Sequence, residues 1–430
     1  MWMLVYNTGF LLFRFLLLPL LYLLVPKARR TIRAQQGIWE RYAEHVSLIT
    51  RKKRVLWFHV ASAGEYLLAR PIIEKCSRKY HCIVTVTSVS GYNWLLKEKN
   101  SAILFFDYIP LDTKKNSARI VDLISPDALI VVKNDLWLNT IDYAFKKTIP
   151  LFLFSISISR ENIRIKNRFV RGLYRHTLNY FSEITVVNEE SFAVVKKLVR
   201  MECVVITSGD IKFDSVLERK KKISQVQISI PFKKEHTLVL GSLWNGDLDI
   251  IMSAVTTLLE NHKSLKVIVA PHEIDEKLIS FIEKKWKKYS VAKLSDLLSK
   301  RSKITGMHKV LIVDTTGNLF QMYDYGSISF VGGGFGTGIH NILEPAVLQN
   351  IVCFGPNHKK FPEAQNMIHA GVAFEISSGE QFYNLVESYL AQGKKLSADG
   401  KRALQFVVNH AGSLDTHCKI IDEKFSRFSF

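Results

Sequence analysis

Hydrophobic positions along this 430-residue chain fall into three textures. The first is an apolar run from Phe10 to Val25, FLLFRFLLLPLLYLLV, broken only by Arg14 and Pro19. The second begins after residue 50 as short β-branched or aromatic runs: VLWFHVAS (55–62), CIVTVTSV (82–89), ILFFDYI (103–109), ALIVVKN (128–134), PLFLFSIS (150–157), EITVVN (183–188) and CVVITSG (203–209). Stretches with helical spacing or solvated charge separate most of them. A third series repeats the rhythm: HTLVLGSL (236–243), LKVIVAPHE (265–273), KVLIVDTTG (309–317), SISFVGGG (327–334), IVCFGPN (351–357) and VAFEI (372–376). Near-continuous apolar strands alternating with helices predict parallel sheets covered on both faces.

The expected architecture is therefore α/β, with two Rossmann-like domains and a cleft between them that receives ligands at the carboxyl ends of the strands. Its parts are a membrane anchor (1–30), an N-terminal domain (31–214), a linker (215–235) and a C-terminal domain (236–405). A last helix (406–430) is expected to cross back to the N-terminal domain. The linker contains LERKKKISQVQISIPFKKE, in which Pro231 opposes continuation of a long helix.

The N-terminal run does not read as a cleavable signal. Its basic cluster, Lys27, Arg29, Arg30 and Arg33, follows the apolar core rather than preceding it, and no Ala-x-Ala-like site is present. A full crossing needs roughly 20 residues, so the run either spans with help from Trp2 to Tyr6 or lies in one leaflet with Arg14 snorkelling. A buried core helix is the competing reading. The basic cluster places the rest of the chain on the cytoplasmic side.

Formal net charge is +20, with a pI of 9.6. Nucleic acid, an anionic membrane surface or a polyanionic substrate would each explain it. Nucleic acid is disfavoured because the basic residues are spread along the chain and no recognised module is present. The five cysteines (Cys76, Cys82, Cys203, Cys353, Cys418) form no Cys-x-x-Cys pair or metal-spaced cluster. Neither a disulfide, a structural zinc nor any other bound metal is expected.

The strongest chemical signal is FVGGGFGTGIHNILEPA, residues 330–346. A strand runs into Gly332, Gly333 and Gly334, and a helix is expected to open near His340 and Asn341, with Glu344 one turn inside. Glycine lets backbone approach phosphate closely, a helix N-terminus favours the anion, and a carboxylate there can accept from a ribose hydroxyl. Gly241-Ser242 and Pro271-His272-Glu273 end two neighbouring strands of the same domain. In the N-terminal domain, HVASAGE (59–65) places Ser62, Gly64 and Glu65 on a strand-to-helix turn. Thr85, Thr87, Ser88 and Gly91 form a second polar turn suited to sugar hydroxyls or phosphate. Glu40 and Arg41 are adjacent on a helix behind the anchor; read alone, Glu40 is an ordinary surface carboxylate.

These strings together resemble the Kdo transferases (3-deoxy-D-manno-octulosonic acid transferases) of lipid A biosynthesis. The resemblance rests on W-E-R-Y (39–42), HVASAGE, SGDIKFD (208–214), GSLW, APHE, GGGFGTGIHNILEPA and GPNHKKF (355–361). It implies an inverting GT-B glycosyltransferase, of the EC 2.4.99 class, that moves Kdo from CMP-Kdo to a lipid A precursor, without a cofactor. It implies a nucleotide site of Gly241, Ser242, Pro271, His272, Gly332, Gly333, Gly334, Asn341 and Glu344, with Glu40 as the catalytic base. Arg41, Ser62, Gly64, Glu65, Asp135 and Lys212 would meet the acceptor or the sugar. The implied location is the cytoplasmic face of the inner membrane, with no obligate protein partner.

One departure stands out. Where many members read Glu-x-Glu-Leu-Trp-Pro-Asn, this chain has Lys133-Asn134-Asp135-Leu136-Trp137-Leu138-Asn139. A role resting on the first Glu cannot pass to Lys133, whereas Asp135 can keep that of the second. The competing readings are another GT-B enzyme, such as a lipid A disaccharide synthase or a UDP-sugar epimerase, and a non-catalytic membrane-bound nucleotide-binding protein.

Overall fold

The computed structural model describes residues 1–50, 52–223, 228–301 and 303–426. Residues 224–227 of the expected linker and 427–430 of the expected last helix lie outside the described residues. The chain divides into two compact units. One comprises Met1–Ser215 with Ala411–Phe430, the other Val216–His410.

The first unit holds a seven-stranded sheet in the order β3-β2-β1-β4-β5-β6-β7. Its strands are β1 (Val55–Val60), β2 (His81–Val86), β3 (Phe105–Tyr108), β4 (Ala128–Val132), β5 (Leu151–Ile156), β6 (Glu183–Val186) and β7 (Val204–Thr207). Every neighbouring pair is parallel. All six residues of β1 and all six of β5 are buried, because helices cover both faces of a parallel sheet.

The second unit repeats the plan as β10-β11-β9-β8-β12-β13-β14. Here the strands are β8 (Thr237–Leu243), β9 (Lys266–Pro271), β10 (Val291–Lys293), β11 (Val310–Ile312), β12 (Ile328–Val331), β13 (Ile351–Phe354) and β14 (Ala373–Glu375). All its pairs are parallel too. The expected doubly wound α/β fold is present in both units. Edge strand β10 was not expected from the sequence: three residues, Val-Ala-Lys, carry too little alternation to register.

Each sheet has one topological switch point, where the strand order reverses. In the first it lies between β1 and β4, in the second between β8 and β12. The turns after β1 (HVASAGE) and β4 (Lys133–Asn139), with the end of β8 (Gly241-Ser242-Leu243) and the turn after β12 (the GGG run), are therefore placed where open α/β sheets bind ligands.

The apolar N-terminus forms a 23-residue helix, Trp2–Leu24, long and apolar enough to cross a membrane. Its leucine face is exposed rather than buried, which excludes the core-helix reading. A π turn at Phe13–Leu17 sits just ahead of Pro19, whose ring would otherwise collide with the carbonyl four residues back. The first turns are docked on the first unit: Trp2 packs edge-on against Phe169 at 5.2 Å, Tyr6 donates to Asp112 at 2.8 Å, and Asn139 donates to Asn7 at 3.0 Å.

The last helix, Ser413–Ser426, belongs to the first unit. Asp214 caps it by accepting from the Gly412 and Ser413 amides at 2.9 and 3.1 Å. Lys79 and Tyr80 bind Asp422, and buried His417 meets Thr185 Oγ1 at 2.7 Å. Burial pushes the His417 imidazole down to about 3.

Candidate functional site

In the first unit, the switch point carries a side-chain network. His59, at the end of β1, contacts Thr85 Oγ1 through Nδ1 at 2.9 Å and Asp135 Oδ2 through Nε2 at 3.0 Å. Thr87 donates to the same carboxylate oxygen at 2.5 Å, and the Trp57 indole donates to Thr85 at 2.8 Å. Burial alone would raise the Asp135 carboxyl, but the bond and charge of His59, with the bond from Thr87, hold it at about 2. An ionised Asp135 only accepts, so His59 Nε2 donates to it. Lys133, which adopts φ 67°, faces Asp210 at 3.9 Å, and Lys212 holds the same carboxylate at 3.2 Å.

Several residues expected at the acceptor side have structural partners. Ser62 caps the helix Ala63–Cys76 by accepting from the Glu65 amide, while the Glu65 carboxylate accepts from the Ala61 amide at 2.5 Å. Together the two bonds fix the start of this helix. Burial raises the Glu65 carboxyl. Gly64 lies in the same turn with room beside it, the nearest atom to an added Cβ being Ser62 Oγ at 3.8 Å.

Arg41 forks onto buried Asp107 at 2.7 and 2.8 Å and also donates to the carbonyls of Ala34 and Gln36. This clamp fixes the turn at Gly37 (φ 66°), which opens the helix Ile38–Val46. Ile38 and Tyr42 bury one side of that helix and leave Glu40 exposed in its first turn. Among the described residues, Glu40 has no hydrogen-bond or ion-pair partner.

In the second unit, main chain does most of the building. The Gly332 amide donates to the Gly241 carbonyl at 2.8 Å, the Gly333 amide to buried Asp247 at 2.7 Å, and the Trp244 amide to the same carboxylate at 2.9 Å. The amides of Gly332 and Gly333 thus point inward. What these glycines supply is close approach: Gly333 has φ 92°, and a Cβ on Gly334 would stand 2.5–2.8 Å from Gly355 main-chain atoms.

Beside this loop, the rings of Trp244 and His272 stack at 4.4 Å, and those of His272 and His340 at 4.3 Å. Trp244 Nε1 donates to His340 Nε2 at 2.9 Å. Burial, and then His272, push His340 below the usual histidine range, which suits an acceptor. Trp244, Asn245, His272, Glu273 and Thr337 border a cavity of about 360 Å³. Pro271 is buried at the end of β9, and Ser242 adopts φ 55° at the end of β8.

Glu344 lies in the first turn of a five-residue helix, Leu343–Val347, rather than one turn inside a longer one. Arg219 pairs with its carboxylate, Asn341 donates to it at 3.3 Å, and the Arg219 guanidinium lies 4.1 Å over the Phe320 ring. The structure thus groups Gly241, Ser242 and the three glycines, joins His272 to Trp244 and His340, and pairs Asn341 with Glu344. Sequence reasoning missed Asp247, Trp244, His340 and Arg219, as well as the partnership of His59 with Asp135.

Residues 36–215 match the family model described as 3-deoxy-D-manno-octulosonic-acid transferase (kdotransferase). A 3-deoxy-D-manno-octulosonic acid transferase of Rickettsia bellii is 26% identical over 383 residues, covering 86% of this chain and 88% of that protein. The Haemophilus influenzae transferase is 25% identical over 427 residues, 96% of either chain. The chain is a relative of the Kdo transferases. Among solved structures, the UDP-GlcNAc 2-epimerase of Neisseria meningitidis bound to UDP-GlcNAc is similar in fold, with a TM-score of 0.59 at 13% identity over 87% of this chain and 100% of that one. That likeness is one of fold alone, two doubly wound α/β units. The Kdo transferase match itself covers both the Glu40 helix and the turns after β1 and β4.

Proposed function

We propose that this protein transfers Kdo from CMP-Kdo to a lipid A precursor of the lipid IVA type, with inversion at the anomeric carbon. The observation that carries the proposal is Glu40: an exposed, unpaired carboxylate on a helix fixed by the Arg41–Asp107 clamp, 16 positions after the apolar helix ends at Leu24. The Glu40 carboxylate takes the proton of the acceptor hydroxyl. The freed oxygen bonds to the anomeric carbon of Kdo while the bond from that carbon to the phosphate oxygen breaks, and CMP leaves with the electron pair.

In this reading the second unit holds CMP. The rings of Trp244 and His272 offer a stacking surface for the base, and Asn341 and Glu344 offer hydrogen-bonding groups to the ribose. Arg41 and the Ser62–Glu65 turn act mainly by holding the acceptor-side backbone in place, whereas Asp135 and Lys212 are the groups left to meet sugar. The apolar helix and the basic balance of the chain support a location on the cytoplasmic face of the inner membrane, where an acylated, phosphorylated acceptor stays in the bilayer.

The test is Glu40→Gln, which preserves size but cannot accept the proton. With saturating CMP-Kdo and a tetra-acylated acceptor, turnover should fall about 10²–10⁴-fold, while CMP affinity by calorimetry stays at the wild-type value. Undiminished turnover in the folded variant would remove Glu40 from the mechanism.

A further inference from the structure

A second cavity, of about 650 Å³, lies in the first unit away from the switch point. Arg160, Arg168, Arg171, Arg175 and Lys197 line it, and no carboxylate does. Arg168, Arg171 and Arg175 are spaced three and four residues apart on the helix Arg168–Leu178, so one face carries all three. Lys197 follows the helix Glu189–Lys196, and Arg160 comes from the loop after β5. None of the five has an ion-pair partner among the described residues. Like charges so spaced repel one another, and a bound anion relieves that repulsion. Guanidinium forks match phosphate oxygens in bidentate geometry.

The surroundings say where that anion comes from. Gly172, another lining residue, touches Trp2: a Cβ at Gly172 would run into the indole, so the first residue of the apolar helix is seated against the wall of the cavity. Ile163 and Phe169 flank it and are 65% and 55% exposed. Arginines beside exposed apolar side chains and a lipid-seeking helix fit a water–bilayer boundary.

We propose that this pocket binds a phosphate carried by a lipid at the membrane surface, as a docking site separate from the sugar-transfer chemistry. The inference needs only membrane association. It is read without donor or acceptor present, so its failure and that of the Kdo transferase assignment are distinguishable.

The experiment is flotation of the full chain with phosphatidylcholine vesicles, with and without phosphatidic acid. The paired variant Arg171→Gln, Arg175→Gln is compared with a control of equal charge loss in the second unit, Lys284→Gln, Lys285→Gln. Phosphatidic acid should strengthen wild-type binding. The arginine variant should lose about 10–30-fold of that gain, the effect of two cations near an anionic surface, and the control should keep it. Inorganic phosphate at matched concentration should leave the gain in place. An equal loss in the control would reduce the effect to net charge and overturn the proposal. Displacement by inorganic phosphate would overturn it in favour of a soluble-phosphate site. Unchanged melting temperatures would show that both variants are folded; if the arginine pair is destabilised, Arg171→Lys, Arg175→Lys should retain the gain, and its loss would also overturn the proposal.

Discussion

The two switch points solve the same problem with different materials. In the second unit, main chain packs on main chain, with glycines where no side chain fits and one buried carboxylate, Asp247, pinning the loop. In the first unit, the turns are tied by side chains: His59, Thr85, Thr87 and Asp135 form a hydrogen-bonded, titratable set. A loop made of backbone is rigid. One made of side chains can be tuned, and can be altered by a change of protonation.

Steric substitution should therefore hurt the second unit most. Gly334→Ala drives a Cβ to within 2.5–2.8 Å of Gly355 main chain, which cannot rotate away. We expect about 3 kcal/mol of destabilisation, read as a fall in denaturant midpoint, with CMP binding lost in parallel. The matching change in the first unit, Gly64→Ala, meets nothing closer than 3.8 Å and should leave CMP binding unaltered. Equal effects at both positions would dissolve the comparison.

The first unit should instead answer to charge. With its carboxyl held at about 2 in the folded state, against an unfolded value of about 3.9, ionised Asp135 contributes about 2 kcal/mol. That contribution is fully present above pH 4 and lost as pH falls towards 2. Asp135→Asn should lower stability by this amount at neutral pH and flatten the acid limb of the stability curve. A variant with an unchanged acid limb would show that the network is not electrostatic.

His417 gives a second acid-side signature. The unfolded imidazole gains a proton below about 6.5, the buried one only near 3, so stability is full above pH 6.5 and declines as pH falls between those values. The slope approaches about 1.4 kcal/mol per pH unit, and His417→Leu should remove it in melts across pH 6 to 4. The smallest effect concerns Glu344. Because Arg219 already occupies its carboxylate, Glu344→Gln should weaken CMP binding by about 1 kcal/mol, measured by calorimetry. Unchanged affinity in the folded variant would take Glu344 out of the nucleotide site.

The strands were legible because buried parallel strands are continuous apolar runs, and β1 to β9 and β11 to β14 each contain one. β10, with its three residues, does not. Strand order was not legible, since it depends on which of seven similar strands becomes central, and with it went the switch points that single out His59 and Asp247. Motif residues were found, but not their partners. Asp107 lies 66 positions from Arg41, and Arg219 sits 125 positions from Glu344 in a stretch that reads as solvated linker. A charged side chain announces that it needs a partner, not which one.

Because Ser413–Ser426 completes the unit that Met1–Ser215 begins, the second unit is an insertion within the first. During synthesis, the sheet of seven strands emerges early but lacks the helix that buries Cys418, Ile420, Ile421 and Phe425. Asp214 has no amides to cap, and the face of the helix Ala63–Cys76 waits uncovered while almost two hundred further residues are made. The continuous second unit can fold during that interval; the first unit is finished only once Ser413–Ser426 has been made. A ribosome that stops before Ser413 releases a chain whose first unit displays an uncovered apolar strip.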